Sequence, residues 1–377
     1  MFFKKNSKKN KKGAFPNKIL LISVSLLVSL GFIILAETSM AISLKNTGSP
    51  WFFLLHQIVF GYLPGGILGF IAYKINPLKF KKMALWLLIP VLLTMLLVFI
   101  PKIGNMSGGA KRWVSLAGIR FQPSEFLKLT FIIYLAAWLS NRKKKKNKIF
   151  QLLLPLIIIL GTICVLLLLQ PDMSTLVVIA SVAIVMYFCA KTPIKHLIIL
   201  VSVGTATGLF FILKSPYRLN RLMVFLKPNT QPLGSGYQIK QSLITIGSGG
   251  LTGQGFGLGI QKSGLLPQPM TDTIFAVFAE EAGFLGTLLL LSIFLIFVWQ
   301  GLKVAKKSSN SFLQLMALGI VFWLMIQTII NVGAISGMLP LTGIPLPFIS
   351  YGSSHLVVEL IALGILLNIS KHNQEVN

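Results

Sequence analysis

The 377-residue chain is 54% hydrophobic and only 11% charged, with a mean hydropathy of +0.81, which is more apolar surface than one soluble core can cover. Its 35 Lys and Arg residues against 8 acids give a formal charge of +27, with no basic soluble domain to present that charge to nucleic acid. A soluble enzyme and a nucleic-acid-binding module are both excluded; the chain reads as a polytopic membrane protein whose basic residues report topology and an attraction to anionic lipid.

Stretches of roughly 17 to 25 mostly apolar residues predict spans at 19–36, 51–73, 83–100, 123–139, 149–169, 173–190, 197–213, 273–302, 312–337 and 346–369. The first is expected to stay in place, because Ala36-Glu37-Thr38 is a poor cleavage site and further spans follow. Lys and Arg collect at 4–12, 74–82, 142–148, at Lys191 with Lys195, and at 303–307. A ten-span chain with both termini in the cytoplasm puts every one of these clusters inside. The expected fold class is therefore all-α, with a large extracytoplasmic loop between the seventh and eighth helices. Its organisation is a basic cytoplasmic tail (1–18), one transmembrane domain (19–370) whose outer loop covers 214–272, and a short cytoplasmic tail (371–377). Cys164 and Cys189 read as small apolar fillers, and His56, His196, His355 and His372 lack the spacing of metal ligands.

In chain order, Glu37 is expected at the outer end of the first span. The connection 102–122 then keeps Lys102, Lys111, Arg112 and Arg120 outside, against the positive-inside trend. Either these residues snorkel to head groups, or they bind an anionic ligand, with Arg as a bidentate fork and Trp113 as an amphipathic wall. Glu125 suits the positive end of the helix that Pro123 opens. Lys128, one turn further in, reads equally as an ion-pair partner or a phosphate contact. Asp172, after Pro171, reads as the cap of the sixth helix.

In the outer loop, 215–226 has helical periodicity and a basic face carrying Arg218 and Arg221, as in a helix lying in the membrane interface. Gln238, Lys240 and Gln241 follow in GYQIKQS, before the glycine-rich run IGSGGLTGQGFGLG. That run lacks the Gly-Lys-Ser/Thr ending of a phosphate-binding loop, so its expected use is close backbone approach and rearrangement. In LLPQPMTDTIFAVFAEEAGFLG, Asp272 stands at the mouth of an apolar segment, with Glu280 and Glu281 about two turns below. Ionisable groups in such surroundings are functional candidates by default, though Glu280 and Glu281 read first as structural ion-pair partners. The stretch 339–352 is too rich in Pro and Gly for a lipid-facing helix and is expected to line a cavity, with Glu359 facing the interior below it.

Four stretches, GGAKRWVSLAGIRFQPSEFLKL, QPDMST, GYQIKQSLITIGSGGLTGQGFG with LLPQPMTDTIFAVFAEEAGFLG, and LPLTGIPLPFISYGSS, together resemble the SEDS family of bacterial cell-wall polymerases, the FtsW, RodA and SpoVE group. They occur in family order, and several passages look more like the division member than the elongation member. The resemblance implies a glycosyltransferase of the bacterial cytoplasmic membrane that polymerises lipid II. An acceptor hydroxyl attacks the donor's anomeric carbon with inversion, and undecaprenyl pyrophosphate leaves. It further implies that Asp272 is the catalytic base, which suits a hydroxyl that must lose its proton as the bond forms.

The leaving group needs positive charge, for which Lys111, Arg112, Lys128, Arg218, Arg221 and Lys240 are candidates. Trp113, Glu125, Asp172, Gln238, Gln241 and Ser350 complete the candidate substrate contacts in the matching stretches. No cofactor is required, although a divalent cation (Mg or Mn) on the pyrophosphate is compatible with the chemistry. Implied partners are membrane lipid, a class B penicillin-binding protein against spans such as the eighth and ninth, and other division or elongation proteins. The chain departs from the family pattern at Gln268, Thr273, Ser353 and His355. Two rival readings are a lipid flippase or carrier using its buried acids as a relay, and a non-catalytic scaffold for a transpeptidase.

Overall fold

The computed structural model describes residues 16–107, 110–116, 118–141, 149–227, 234–259 and 264–376. The lysine runs at 4–12 and 142–148 lie outside these residues. Thirteen α-helices and one short antiparallel sheet make up the described part. In order they are α1 (Lys18–Thr47), α2 (Phe52–Gln57), a π-helical turn (Ile58–Tyr62), α3 (Leu63–Lys74), α4 (Lys79–Leu97), β1 (Gly104–Ser107), β2 (Ala110–Leu116), β3 (Ile119–Phe121), α5 (Pro123–Ser140) and α6 (Ile149–Leu169). There follow α7 (Met173–Cys189), α8 (Ile194–Lys214), α9 (Pro216–Leu226), α10 (Ser235–Ser248), α11 (Ile274–Lys307), α12 (Ser311–Ile335) and α13 (Ser353–Val376).

Each predicted span meets a helix. Among the described residues, seven helical stretches are long and apolar enough to cross a membrane: α1, the α2–α3 run, α4, α8, α11, α12 and α13. Large apolar side chains such as Trp86, Phe70, Ile67 and Leu295 stand exposed on the outside of the bundle. Water would make that surface costly, whereas lipid makes it the natural boundary. Inside, Trp323, Phe131, Phe297, Phe312 and Phe348 are almost wholly buried.

Three expectations need correcting. At 102–122 β1, β2 and β3 pair in order as an antiparallel sheet, so the chain is mostly helical rather than all-α. The strands are short, at most seven residues, and the stretch lacks a clean two-residue alternation, so no strand signal stood out beside spans of twenty residues. Second, α1 continues to Thr47, so Glu37 lies within the helix rather than at its end. Third, the last helix begins at Ser353, because Pro345 and Pro347 withhold amide donors and push their predecessors out of helical geometry. The tail expected at 371–377 is helical as far as Val376, where α13 ends.

The glycine-rich run is used for backbone approach, as its composition suggested. At Gly283 (φ 67°, ψ −168°) α11 is interrupted. The interruption frees two carbonyls, Glu280 and Glu281, and two amides, Phe284 and Leu285. The loop completes all four. Gln254 N–H donates to Glu280 O (2.9 Å) and Gly255 N–H to Glu281 O (3.1 Å), while Phe284 N–H donates to Gly250 O (2.9 Å) and Leu285 N–H to Leu251 O (3.1 Å). A Cβ on Gly253 would overlap Glu281 O, so the segment is threaded through the broken helical ladder and only glycine fits at that crossing.

Candidate active site

The loop that carries Asp272 is held from three directions. Ser350 Oγ donates to Thr271 O (2.7 Å) and accepts from Leu346 N–H (2.8 Å). Tyr351 N–H donates to Met270 O at 2.8 Å. Asn331, from α12, donates through Nδ2 to Asp272 O (3.0 Å) and to Ile344 O (2.7 Å), fastening this loop to the Pro/Gly-rich stretch 339–352. Two departures from the family pattern belong to the same stitching. Thr273 Oγ1 donates to Pro267 O (2.8 Å), and Thr271 Oγ1 lies 3.2 Å from Gln268 Oε1. Gln268 (φ 54°) and Phe348 (φ 65°) hold left-handed conformations that cost a non-glycine residue of order 1–3 kcal/mol, an expense the surrounding bonds support.

The Asp272 carboxylate takes no hydrogen bond among the described residues. It does not cap α11, whose N-cap is Thr273. Burial raises its pKa above the ordinary carboxylate value, and the nearby Arg221 and Arg112 pull it partly back. Arg221 comes from α9, stacks on Tyr217 (4.8 Å to the ring centre) and donates to Leu341 O at 3.1 Å. Arg112 comes from β2 and donates to Gln170 O (3.3 Å) and to Pro171 O, which ties the sheet to the turn before α7. Arg218 donates to Phe211 O at 3.3 Å, and its pKa is lowered by burial and then by Arg112. Two arginines from separate elements, Arg221 and Arg112, thus act on one carboxylate, with Arg218 close to Arg112. Asp272, Arg221, Gln238, Asn331, Thr342 and Gly343 share the walls of a cavity of about 10 Å³, the room of about one water.

Other candidates fall elsewhere. Asp172 caps α7, accepting from Thr175 N–H (3.3 Å) and Oγ1 (2.8 Å) and from Ser124 Oγ (3.2 Å). Ser350 is buried with its hydroxyl committed to the loop contacts above, so it positions the Asp272 loop from behind. Trp113 packs under Arg120, 4.9 Å from the ring centre. Lys111 and Lys240 are exposed, and Gln241 is half-buried on α10.

Of the two readings for Lys128, the structure shows the ion pair: its Nζ lies 2.7 Å from Glu125 Oε2, and both side chains are buried. Lys128 also donates to Gln327 Oε1 (3.0 Å), which accepts from Trp323 Nε1 as well (2.9 Å). Gln327 Nε2 in turn donates to Pro345 O (3.1 Å) and Glu359 Oε1 (3.3 Å), and Glu359 Oε2 accepts Phe348 N–H at 2.8 Å. A continuous chain of hydrogen bonds therefore runs from α5 through α12 and α13 to the loop beside Asp272. Sequence reasoning missed Gln327 and Asn331. Their signal was two amides one helical turn apart in an apolar span, which places them on one face.

The family model for FtsW, RodA and SpoVE, described as cell cycle protein, matches residues 17–375. Stage V sporulation protein E of Bacillus subtilis (strain 168) is 35% identical over 359 residues, covering 95% of this chain and 98% of that protein. A probable peptidoglycan glycosyltransferase FtsW of Geobacter sulfurreducens (strain DL-1 / KN400) is 37% identical over 353 residues, 93% of this chain and 94% of its own. Among solved structures, a chain of a peptidoglycan synthase complex superposes with TM-score 0.78 at 26% identity, covering 95% of this chain and 98% of its own. The Rod shape determining protein RodA of Thermus thermophilus gives TM-score 0.70 at 27% identity, with 95% and 97% covered. Matched over nearly its whole length in sequence and fold, the chain belongs to the FtsW/RodA/SpoVE family.

Proposed function

We propose that the chain is a peptidoglycan glycosyltransferase, the activity named for its FtsW relatives, and that it polymerises lipid II at the outer face of the cytoplasmic membrane. The observation that carries the reading is Asp272: a carboxylate without a hydrogen-bond partner among the described residues, set beside Arg221 and Arg112 in a loop fastened on three sides. The acceptor hydroxyl gives its proton to Asp272 while its oxygen forms a bond to the donor's anomeric carbon. The carbon–oxygen bond to pyrophosphate breaks on the opposite face, and its electron pair leaves with the phosphate, which gives inversion.

Arg112, Arg218 and Arg221 supply fixed positive charge for that leaving group, and the exposed Lys111 and Lys240 add to the field that draws an anionic lipid in. A divalent cation carried by the pyrophosphate would act in the same sense. In this reading the bundle crosses the membrane ten times with both termini inside, which places the sheet, α9, α10 and the Asp272 loop together outside. A class B penicillin-binding protein is the proposed partner, in keeping with the synthase complex that the fold matches.

The test is glycan-chain formation from lipid II by the purified protein with its partner, comparing Asp272 with Asp272→Asn. Chains from the wild type and none from the variant, with lipid II binding retained, support the reading. Equal rates remove Asp272 from the chemistry, and no chains from either bring the flippase or scaffold forward.

A further inference from the structure

At the opposite end of α11 from Asp272, where the start of α1 meets the ends of α11 and α13, lies a cavity of about 350 Å³ walled by Asn17, Val304, Lys307, Ser370, Asn373 and Gln374. That volume falls within the roughly 300–1,000 Å³ of small-molecule pockets. Three of its groups keep bonding capacity. The Ser370 hydroxyl, on a side chain 3% exposed, accepts Asn17 N–H (2.8 Å) and donates to no described residue. Asn373 Nδ2 donates to Val304 O (2.9 Å), which fixes the orientation of the amide and leaves Oδ1 without a described partner. Lys307, in the last turn of α11, is exposed at the rim and forms no ion pair among the described residues. Among the described residues no acid and no aromatic ring lines the cavity.

A cation beside a free hydroxyl donor suits a phosphate, and the amide oxygen suits a hydroxyl next to it, while no ring is present to stack a nucleotide base. The surroundings point to lipid. Trp299 is 57% exposed on the outside of α11 with Lys303 Nζ 3.3 Å from its ring centre, and Lys371 Nζ lies 5.7 Å from the ring centre of Tyr73. Aromatic rings topped by lysines mark the head-group level of a bilayer. Lys307 stands one turn beyond Lys303 and Ser370 directly precedes Lys371, so the cavity lies at that level. Exposed Leu21, one turn after Asn17, and exposed Ile296 and Trp299 continue from it along the bundle as apolar surface for acyl chains. We propose that this cavity binds the head group of an anionic glycerophospholipid, with the phosphate on Lys307 Nζ and the Ser370 hydroxyl and a head-group hydroxyl on Asn373 Oδ1. The topology read above, with both termini inside, makes it a lipid of the cytoplasmic leaflet. Basic pockets between spanning helices on that side are suited to anionic head groups.

The test is binding to the full chain in a neutral detergent, followed by native mass spectrometry as dioctanoyl phosphatidylglycerol, dioctanoyl phosphatidylcholine or glycerol phosphate is added. Phosphatidylglycerol is expected to bind about tenfold or more tightly than phosphatidylcholine, because only the former leaves the Lys307 charge unopposed by a choline cation. Lys307→Gln, at the exposed rim where folding is not at stake, should weaken phosphatidylglycerol binding about tenfold or more, and Ser370→Ala roughly two- to tenfold. Lys306→Gln removes an equal charge from an exposed neighbour outside the cavity and should change the affinity by less than about twofold. Equal losses from Lys306→Gln and Lys307→Gln would reduce the effect to diffuse surface charge and overturn the site. Equal binding of the two lipids overturns it as well, and glycerol phosphate binding as tightly as the lipid replaces the lipid with a soluble phosphate. None of these readouts involves glycan synthesis, so the polymerase reading stands or falls separately.

Discussion

Gln327→Leu is the sharpest test of how the site is held. The substitution keeps the volume and removes four hydrogen bonds: from Lys128 and Trp323 to the amide oxygen, and from the amide nitrogen to Pro345 O and Glu359. Interhelical hydrogen bonds in membrane proteins average about 0.6 kcal/mol each; two of these four join helices, and taking the same figure for the bond within α12 and the bond to the loop gives roughly 2.4 kcal/mol. The loss of a partner to a buried charge can cost about 3–5 kcal/mol, but only when that charge is left bare. Here Lys128 keeps Glu125 at 2.7 Å and Glu359 keeps Phe348 N–H at 2.8 Å, so the smaller figure governs. The expected loss is about 2–4 kcal/mol. The readout is thermal inactivation in detergent, compared as half-lives at one temperature because unfolding of such proteins is rarely reversible. Glu359→Gln, which retains an acceptor for Phe348 N–H, should lose less. Half-lives for Gln327→Leu equal to wild type would refute the network as a support of the 339–352 loop.

Other outcomes follow from the same geometry. Because burial raises the Asp272 pKa, the acid limb of kcat/KM should lie above the usual carboxylate range, activity falling as pH drops and the base is protonated. Arg221→Gln removes a charge that lowers that pKa, so the limb should move to still higher pH, with a loss of rate besides; a limb that stays put would detach Arg221 from the base. Gly253→Ala places a Cβ against Glu281 O at φ 83°, and hydrogen exchange across 250–255 should rise as the loop leaves the α11 break. Arg112→Gln should leave the fold intact, loosen the sheet from the turn at Gln170 and Pro171, and raise the KM for lipid II several-fold in the polymerisation assay.

The chemistry of the departures from the family pattern was not legible in the sequence. Thr273 and Gln268 bond to the Asp272 loop itself, and His355 Nε2 lies 3.1 Å from Ser350 O, so these substitutions re-stitch the loop's support and leave the Asp272 side chain clear. Ser350 and Asp172 look alike in sequence as polar residues in matched motifs. Asp172 caps α7 as its place after Pro171 suggested, whereas only the hydrogen-bond partners of Ser350 reveal that it clamps a backbone.

The sequence by itself determined the membrane class and the approximate positions of the helices, and it singled out Asp272 as a candidate. Those depend on local quantities: runs of apolar residues, the placement of Lys and Arg, and the cost of a lone acid at the edge of an apolar span. Tertiary structure decided which residues meet. Arg112 lies 160 positions before Asp272 and Asn331 lies 59 after it, and no spacing rule brings such residues together. It also decided that Lys128 is spent on an interior ion pair while Arg112 and Arg221 come to the Asp272 carboxylate, because burial and long-range packing, not residue type, determine which charges remain available to a ligand.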